Sequence, residues 1–320
     1  MGLEIAASGV QALQVATVAL GAPWVSGVIA RVEAVVQGRH GPRILQPYYD
    51  LIKLFGKESL RPAGAGAIFL IAPFVAFACY LTVPLLIPIL TTFGLPLGSM
   101  GDILGGAFVL ALAAFFVSVA AAETGAPYAQ LGASRTTTFS ALTEPVLLFV
   151  IFTVGLLSGT DLPYKMAETV TSSASQLVRP AHLLASVAMF LVVLVETGRI
   201  PVESHRSTNE LGMIEHARTL EHSGPYLALL TWGSQMKQMI LYALLLNVFV
   251  LPWGLASDRA AGSVVWAIVS LLLKCVAVGV VVTAIDNSFS KLRLFKITEF
   301  IAAAFLLAVI AVLTLYLGGG

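Results

Sequence analysis

Charged residues are scarce in this 320-residue chain. They make up 11% of the sequence, whereas hydrophobic residues make up 58%. A soluble domain carries about 25% charged residues. The sequence also lacks the alternating apolar and polar pattern of outer-membrane barrel strands, so its hydrophobic runs are expected to be helical. We therefore predict an all-α integral membrane protein that forms a single membrane domain over residues 1–320.

Cysteine and clustered basic residues are scarce as well. The two cysteines, Cys79 and Cys275, lie alone in separate apolar stretches. Their spacing matches no metal motif, and we predict buried free thiols. The net charge is only +1, and no basic run with interleaved aromatic residues is present. The sequence therefore gives no reason to expect nucleic acid as a partner.

Long apolar runs dominate the remainder of the chain. A membrane-spanning helix needs about 20 mostly apolar residues. By this criterion we predict eight transmembrane helices, at 5–30, 66–90, 101–122, 137–158, 181–197, 231–252, 262–285 and 297–317.

The basic residues between these runs are unevenly distributed. Loops that follow the odd-numbered spans hold thirteen lysines and arginines, and loops on the other side hold three. Cytoplasmic loops of membrane proteins carry the excess of basic residues. We therefore expect both termini to lie outside the cytoplasm.

Six ionisable residues fall inside the predicted spans or directly at their ends. Glu123, Glu144, Glu196, Lys237 and Glu299 are expected in the cytoplasmic half of the membrane, and Lys274 near the middle of the seventh span. A charged side chain at membrane depth costs about 2.5–3.5 kcal/mol. Residues at helix ends, such as Glu123 and Glu299, could simply reach the interface. The deeper residues favour a polar half-channel, open to the cytoplasm, whose groups exchange protons.

The loop after the fifth span has the signals of an amphipathic helix. Ser207 and Glu210 form a capping box, and Gly224-Pro225 is expected to end the helix. The spacing of Glu210 and Glu221 places them on the same, otherwise apolar, face. We interpret these two as acids of an internal cavity. Glu215, Arg218 and His222 fall on other positions and are expected on a solvated face.

Four segments carry a resemblance to a known family. "GRHGPRILQPYYDLIKLFGKES" at 38–59, whose second half also predicts a short amphipathic helix, resembles a signature of subunit 1 of respiratory complex I. "LGASR" at 131–135, "ETGRIPVES" at 196–204 and "NELGMIEHARTLEHSG" at 209–224 are similar to further motifs of that family, in the same order. "ESHRSTNEL" lacks the acid-rich run usual in complex I, and "DNSFSKLRLFKITEF" near the last span resembles membrane-bound hydrogenases. The chain is therefore identified as most similar to the membrane anchor subunit of group 4 nickel–iron hydrogenases, the formate hydrogenlyase or hydrogenase-4 component C type.

This resemblance implies a subunit of an energy-converting complex in the prokaryotic cytoplasmic (inner) membrane. The implied partners are the hydrogenase large and small subunits, an iron–sulfur subunit, antiporter-like membrane subunits and the lipid membrane. Nickel–iron and iron–sulfur centres are expected in those partner subunits, and no cofactor is expected in this chain. The chain would dock the cytoplasmic redox arm and couple electron transfer to translocation of protons or sodium.

Residue positions transfer along the same motifs. Those that match the loop facing the arm, where the proton path starts, are Glu196, Arg199, Glu203, Glu210 and Glu221. Glu123, Glu144, Lys237 and Lys274 are predicted to extend the path, and Arg39, Asp50, Lys53 and Arg135 to dock the arm or line its cavity. Movement of Arg199 relative to Glu196 would then change the proton affinity of that acid.

Two other functions remain open from the sequence. One is the quinone-site membrane subunit of NADH:quinone oxidoreductase, which bound or required quinone would indicate. The other is a stand-alone ion transporter, which ion flux through the isolated chain would indicate. Against the transporter, no internal repeat and no pair of interrupted spans in two halves is visible.

Overall fold

The computed structural model describes residues 6–98, 101–172, 177–198, 216–288 and 294–317, and nearly all of its regular structure is helical. The helices are α1 (Ala7–Val36), α2 (Gln46–Phe55), α3 (Ala67–Leu86), α4 (Ile103–Glu123), α5 (Pro127–Ser158), α6 (Pro163–Ser172), α7 (Pro180–Glu196), α8 (Gly224–Leu244), α9 (Ala261–Ser288) and α10 (Leu294–Leu317). A π-helix, Leu245–Val250, continues α8, and a single 3₁₀ turn, Ala217–Thr219, precedes it. The predicted all-α class is confirmed.

Six of these helices are long and apolar enough to cross a membrane: α1, α3, α4, α5, α9 and α10. The chain is therefore a multi-pass membrane protein. The other two predicted spans correspond to α7, which has only 17 residues, and to α8. These two are helical where the sequence predicted helices, but they do not meet the same criterion of length and hydropathy. The polar residues of α8 account for its lower hydropathy, because the sequence "TWGSQMKQ" interrupts its apolar residues.

The bounds of the helices differ from the sequence prediction mainly at α5 and α8. Helix α5 begins at Pro127, ten residues before the predicted start, and α8 begins at Gly224. Both extensions start with a proline in the first turn, where the missing N–H has no intrahelical partner to lose. The amphipathic α2 predicted in the first loop is also present.

The described helices pack around a large, continuous hydrophobic core. Helix α3 lies between α4 and α8, α7 packs against α5 and α10, and α1 packs against α8 and α9. Buried valine, alanine, leucine and methionine side chains from these helices form one continuous cluster. This arrangement brings the C-terminal end of α7 together with the middle of α5 and of α8.

Helix α3 ends at Leu86, before the end of the predicted span 66–90. An irregular stretch follows at 87–98. Gln14 of α1 compensates for the lost helical hydrogen bonds. Its side chain donates to the Ile87 carbonyl (3.1 Å) and accepts from the Ile89 and Leu90 amides (3.0 and 3.1 Å). Non-helical backbone within a membrane protein must be satisfied in this way by buried polar groups.

Candidate functional site

An ion pair between α7 and α8 lies at the centre of the candidate site. Lys237 Nζ is 2.7 Å from Glu196 Oε2, and the Thr143 hydroxyl of α5 donates to Glu196 Oε1 at 2.8 Å. Lys237 is buried, and Glu196 is 19% exposed. Both oxygens of the Glu196 carboxylate are therefore held, each by a different helix.

A second acid adjoins this pair. Glu144 follows Thr143 in α5 and interacts electrostatically with both Glu196 and Lys237. With all three groups ionised, the cluster carries one net negative charge, and one added proton neutralises it. Because like charges oppose each other's ionisation, the proton affinity of each acid depends on the state of the other. We refer to Thr143, Glu144, Glu196 and Lys237 as the Glu196 cluster.

A cavity of about 220 Å³, lined mostly by polar residues, adjoins the cluster. Its lining includes Glu196, Lys237, Arg218, Tyr80 and Gln235. A cavity of this size and polarity has room for several water molecules. The Glu196 carboxylate therefore lies beside a cavity that is large enough to hold water.

Arg218 reaches this cavity from the 3₁₀ turn. It is only 4% exposed, and its Nη1 lies 3.4 Å from Ser118 Oγ and 3.5 Å from the Ala114 carbonyl of α4. The sequence missed it as a site residue, because it was assigned to the solvated face of a helix.

That assignment is wrong for both Arg218 and His222, which are buried. The predicted helix does not extend through 216–223, where the chain forms one 3₁₀ turn, and Gly224-Pro225 opens α8 instead of ending a helix. Helical spacing therefore does not apply there, and the turn points both residues inward. Glu221, predicted to be internal, is partly exposed.

His222 packs against the start of α3. Its ring stacks on Phe69 with 4.1 Å between ring centroids. Burial lowers the pKa of His222 to about 4, an effect that the backbone of Phe69 partly opposes. The ring is therefore neutral near pH 7.

Glu123, the last residue of α4, also contacts the start of α3. Its Oε2 accepts from the Phe69 amide at 2.8 Å, and its other oxygen lies against Gly66, where an added Cβ would meet it at 2.0 Å. A carboxylate at a helix N-terminus satisfies free N–H groups and interacts favourably with the helix dipole. This contact supports a capping role for Glu123.

We predict different outcomes for two substitutions at this position. Glu123→Gln keeps an oxygen that can accept from Phe69 and should leave ion translocation unchanged. Glu123→Ala removes the acceptor and should lower the stability of the assembled protein by about 1 kcal/mol. Thermal unfolding and ion pumping of the two variants test this. Loss of pumping in Glu123→Gln would instead place the residue in the proton path.

The other predicted site residues lie apart from the Glu196 cluster. In the first loop, Asp50 Oδ1 accepts from Gln46 at 2.8 Å, and Asp50, Lys53 and Arg39 are exposed. Arg135 of α5 is partly buried, and Lys274 of α9 contacts the end of the π-helix. Arg199, Glu203 and Glu210 lie outside the described residues.

Among the residues that the structure describes, no three His, Cys, Asp or Glu side chains are grouped so that they could hold a metal ion. Cys79 and Cys275 are free and buried. The site that the described residues form is the Glu196 cluster, a group of interacting ionisable side chains.

Comparisons with known proteins place these features in a family. A family model described as NADH dehydrogenase matches residues 10–317. Formate hydrogenlyase subunit 4 of Escherichia coli (strain K12) is 30% identical over 273 residues, which cover 85% of this chain and 87% of that protein. Hydrogenase-4 component C of the same organism is 28% identical over 289 residues, which cover 90% of each chain.

A solved structure has the same fold. It is a chain of the membrane-bound sulfane sulfur reductase, an archaeal respiratory membrane complex, with a TM-score of 0.79 and 20% sequence identity. The match covers 96% of this chain and all of the other. The resemblance seen in the sequence motifs is confirmed.

Proposed function

The chain belongs to the NADH dehydrogenase family, and on that basis we propose that it is the membrane anchor and coupling subunit of an energy-converting hydrogenase-type complex. In this role it docks a cytoplasmic redox arm and links electron transfer to translocation of protons or sodium. Two of its relatives are named as a formate hydrogenlyase subunit and a hydrogenase-4 component, which supports the hydrogenase branch.

The observation that carries this proposal is the Glu196 cluster beside its cavity. An ion pair inside a bundle is weak evidence for stability, because the cost of removing two charges from water offsets much of their attraction. Ionisable residues within membrane bundles generally mark ion pathways. We assign the cluster a role in exchanging protons with the cavity.

The connectivity of the chain explains how an arm could influence this cluster. The segment 199–215 carries Arg199, Glu203 and Glu210, which match the family's arm-facing motifs. One end of the segment joins Glu196 and Thr197, and the other end joins the turn that holds Arg218. All three of these flanking residues line the cavity. A displacement of the segment by the arm would therefore be transmitted to the cavity from both sides.

The proposed coupling step follows from the charges. A proton that enters through the cavity and binds the Glu196 carboxylate removes the charge that Lys237 faces. The Lys237 ammonium then interacts more strongly with Glu144, the remaining acid. Movement of Arg199 or Arg218 toward Glu196 would then favour release of this proton, because a nearby cation favours the ionised carboxylate.

We propose an inner-membrane location with both termini outside the cytoplasm, from the distribution of basic residues. Reporter fusions at Gly41 and Gly320 should therefore lie on opposite sides of the membrane. A topology assay with paired alkaline phosphatase and fluorescent protein fusions measures this. If both fusions lie on the same side, the number of spans is not eight.

The test of the function is purification of the complex through a tag on this chain. We expect hydrogenase large and small subunits to co-purify, with stoichiometric nickel and hydrogen-dependent reduction of an artificial acceptor. The family model is described as NADH dehydrogenase, so quinone-site chemistry is the second candidate. Co-purified quinone, NADH-dependent quinone reduction and no nickel would support that candidate and contradict the first.

A further inference from the structure

The end of α8 exposes backbone carbonyls far along the helix from the Glu196 cluster. The π-helix Leu245–Val250 closes with a hydrogen bond from the Leu251 amide to the Leu246 carbonyl, 2.7 Å long. Residues 251–253 then leave helical geometry. The last carbonyls of a helix have no intrahelical donor and carry the negative end of the helix dipole.

Helix α9 supplies a cation to these carbonyls. Lys274 Nζ donates to the Leu251 carbonyl at 2.8 Å and to the Trp253 carbonyl, and lies 3.4 Å from Asn247 Oδ1. Three oxygens, one from the π-helix and two from the turn that follows it, therefore surround a single ammonium group. We call Asn247 Oδ1 and the Leu251 and Trp253 carbonyls the oxygen cluster.

Two further features fix the geometry of the oxygen cluster. The Asn247 amide nitrogen donates to the Ile89 carbonyl at 2.8 Å, so its oxygen is turned toward Lys274. Gly254 has a φ of +85°, and a Cβ there would lie 2.2 Å from Ser270 Oγ of α9. Glycine thus allows the carbonyl-bearing turn to lie directly against the helix that carries Lys274.

The adjacent carbonyl of the π-helix is satisfied differently. His182 Nε2 lies 2.9 Å from the Phe249 carbonyl, and Ser186 Oγ donates to the same oxygen at 3.2 Å. These two partners come from α7, so the carbonyls of the oxygen cluster are left for Lys274. The Phe249 carbonyl is therefore hydrogen-bonded to side chains of α7, whereas the Leu251 and Trp253 carbonyls contact the Lys274 ammonium.

Carbonyl and amide oxygens at the end of an interrupted helix are the ligands with which membrane transporters coordinate sodium. An ammonium group and an alkali cation bear the same charge and both interact favourably with such oxygens, so an alkali cation that exchanges water ligands for these oxygens can substitute for the ammonium. We propose that the oxygen cluster is a monovalent-cation site that the chain itself fills with the Lys274 ammonium. Removal of this ammonium opens the site to Na⁺ or K⁺. The proposal rests on this geometry alone and does not depend on the function of the Glu196 cluster.

Lys274→Ala in the purified complex tests the proposal. Thermal unfolding is followed in NaCl, KCl and choline chloride at equal ionic strength. A ligand that binds only the folded state raises Tm in a saturable manner. We expect Lys274→Ala to be less stable than wild type in choline chloride, and to regain several degrees of Tm in NaCl or KCl. Wild type should give the same Tm in all three salts.

Three further variants complete the design. Lys165→Ala removes an exposed lysine of α6 and should behave as wild type. Adding Asn247→Leu to Lys274→Ala removes one oxygen and should weaken the response to alkali cations. If Lys274→Ala does not assemble, Lys274→Gln is tested in its place. The neutral glutamine amide can still donate to a carbonyl but places no positive charge among the oxygens. Equal Tm values in the three salts for the variant that assembles would overturn the proposal.

Discussion

Replacing Lys237 by methionine is expected to prevent normal accumulation of the complex. Methionine has a similar length but leaves the Glu196 carboxylate without the cation that lies 2.7 Å from it. Breaking a buried pair by removing one partner costs about 3–5 kcal/mol, a large part of the 5–15 kcal/mol that stabilises a typical folded protein. Quantitative immunoblotting of membranes and thermal unfolding of the purified complex measure the loss.

The double variant Glu196→Gln/Lys237→Met separates lost charge balance from lost packing. It removes both charges and retains the approximate volume of both side chains, so it should recover most of the stability lost in Lys237→Met. Lys57→Met, at an exposed lysine of the first loop, is the matched control and should accumulate normally. A double variant as unstable as Lys237→Met would show that Lys237 stabilises the bundle through packing and not through Glu196.

The positions of most helices could be predicted from the sequence, because a membrane-spanning helix corresponds to one continuous apolar run. Runs such as 262–285 and 297–317 predict α9 and α10 to within about three residues, since a spanning helix must be apolar along its whole length. The same criterion of apolar length does not decide whether α8 spans the membrane, because polar residues lower its hydropathy. There the helix is stabilised by packing against α1 and α3.

The cluster itself was only partly predictable. Glu144, Glu196 and Lys237 stood out because charges are costly in a membrane, but no pattern along the chain indicates that Lys237 lies against Glu196. Their pairing arises from the way α5, α7 and α8 pack. Thr143 was missed because a threonine in an apolar helix carries no signal of its own.

Arg218 and Lys274 show two further limits of sequence reasoning. Arg218 was assigned from helical periodicity, which does not hold in a 3₁₀ turn that directs its side chain into the bundle. Lys274 was predicted as a late member of the proton path that includes Glu196. Its contacts with the end of α8 depend on a π-helix, and hydrophobic periodicity does not reveal such helices.

The second large effect is expected from Glu196→Gln. Glutamine keeps the size of the side chain, and its oxygen can still accept from Thr143 or Lys237, but it cannot bind and release a proton. Glu144 remains near Lys237 and supplies a negative charge to the cluster, so the complex should assemble. Electron transfer should continue while ion translocation is lost, because only the coupling step requires titration of Glu196.

Glu299→Gln is the matched control for this substitution. Glu299 is an exposed acid near the start of α10, so its replacement changes the same functional group without affecting the Glu196 cluster. The ratio of ions to electrons in this variant should equal that of wild type.

The number of ions translocated per electron in vesicles that contain the assembled Glu196→Gln complex therefore tests the central claim most directly. Hydrogen production or uptake reports the electrons, and a pH-sensitive or sodium-sensitive dye inside the vesicles reports the ions. A relay through Glu196 predicts that this ratio falls to the uncoupled background while electron transfer persists. An unchanged ratio of ions to electrons would contradict the relay and leave the Glu196–Lys237 pair as a structural contact between α7 and α8.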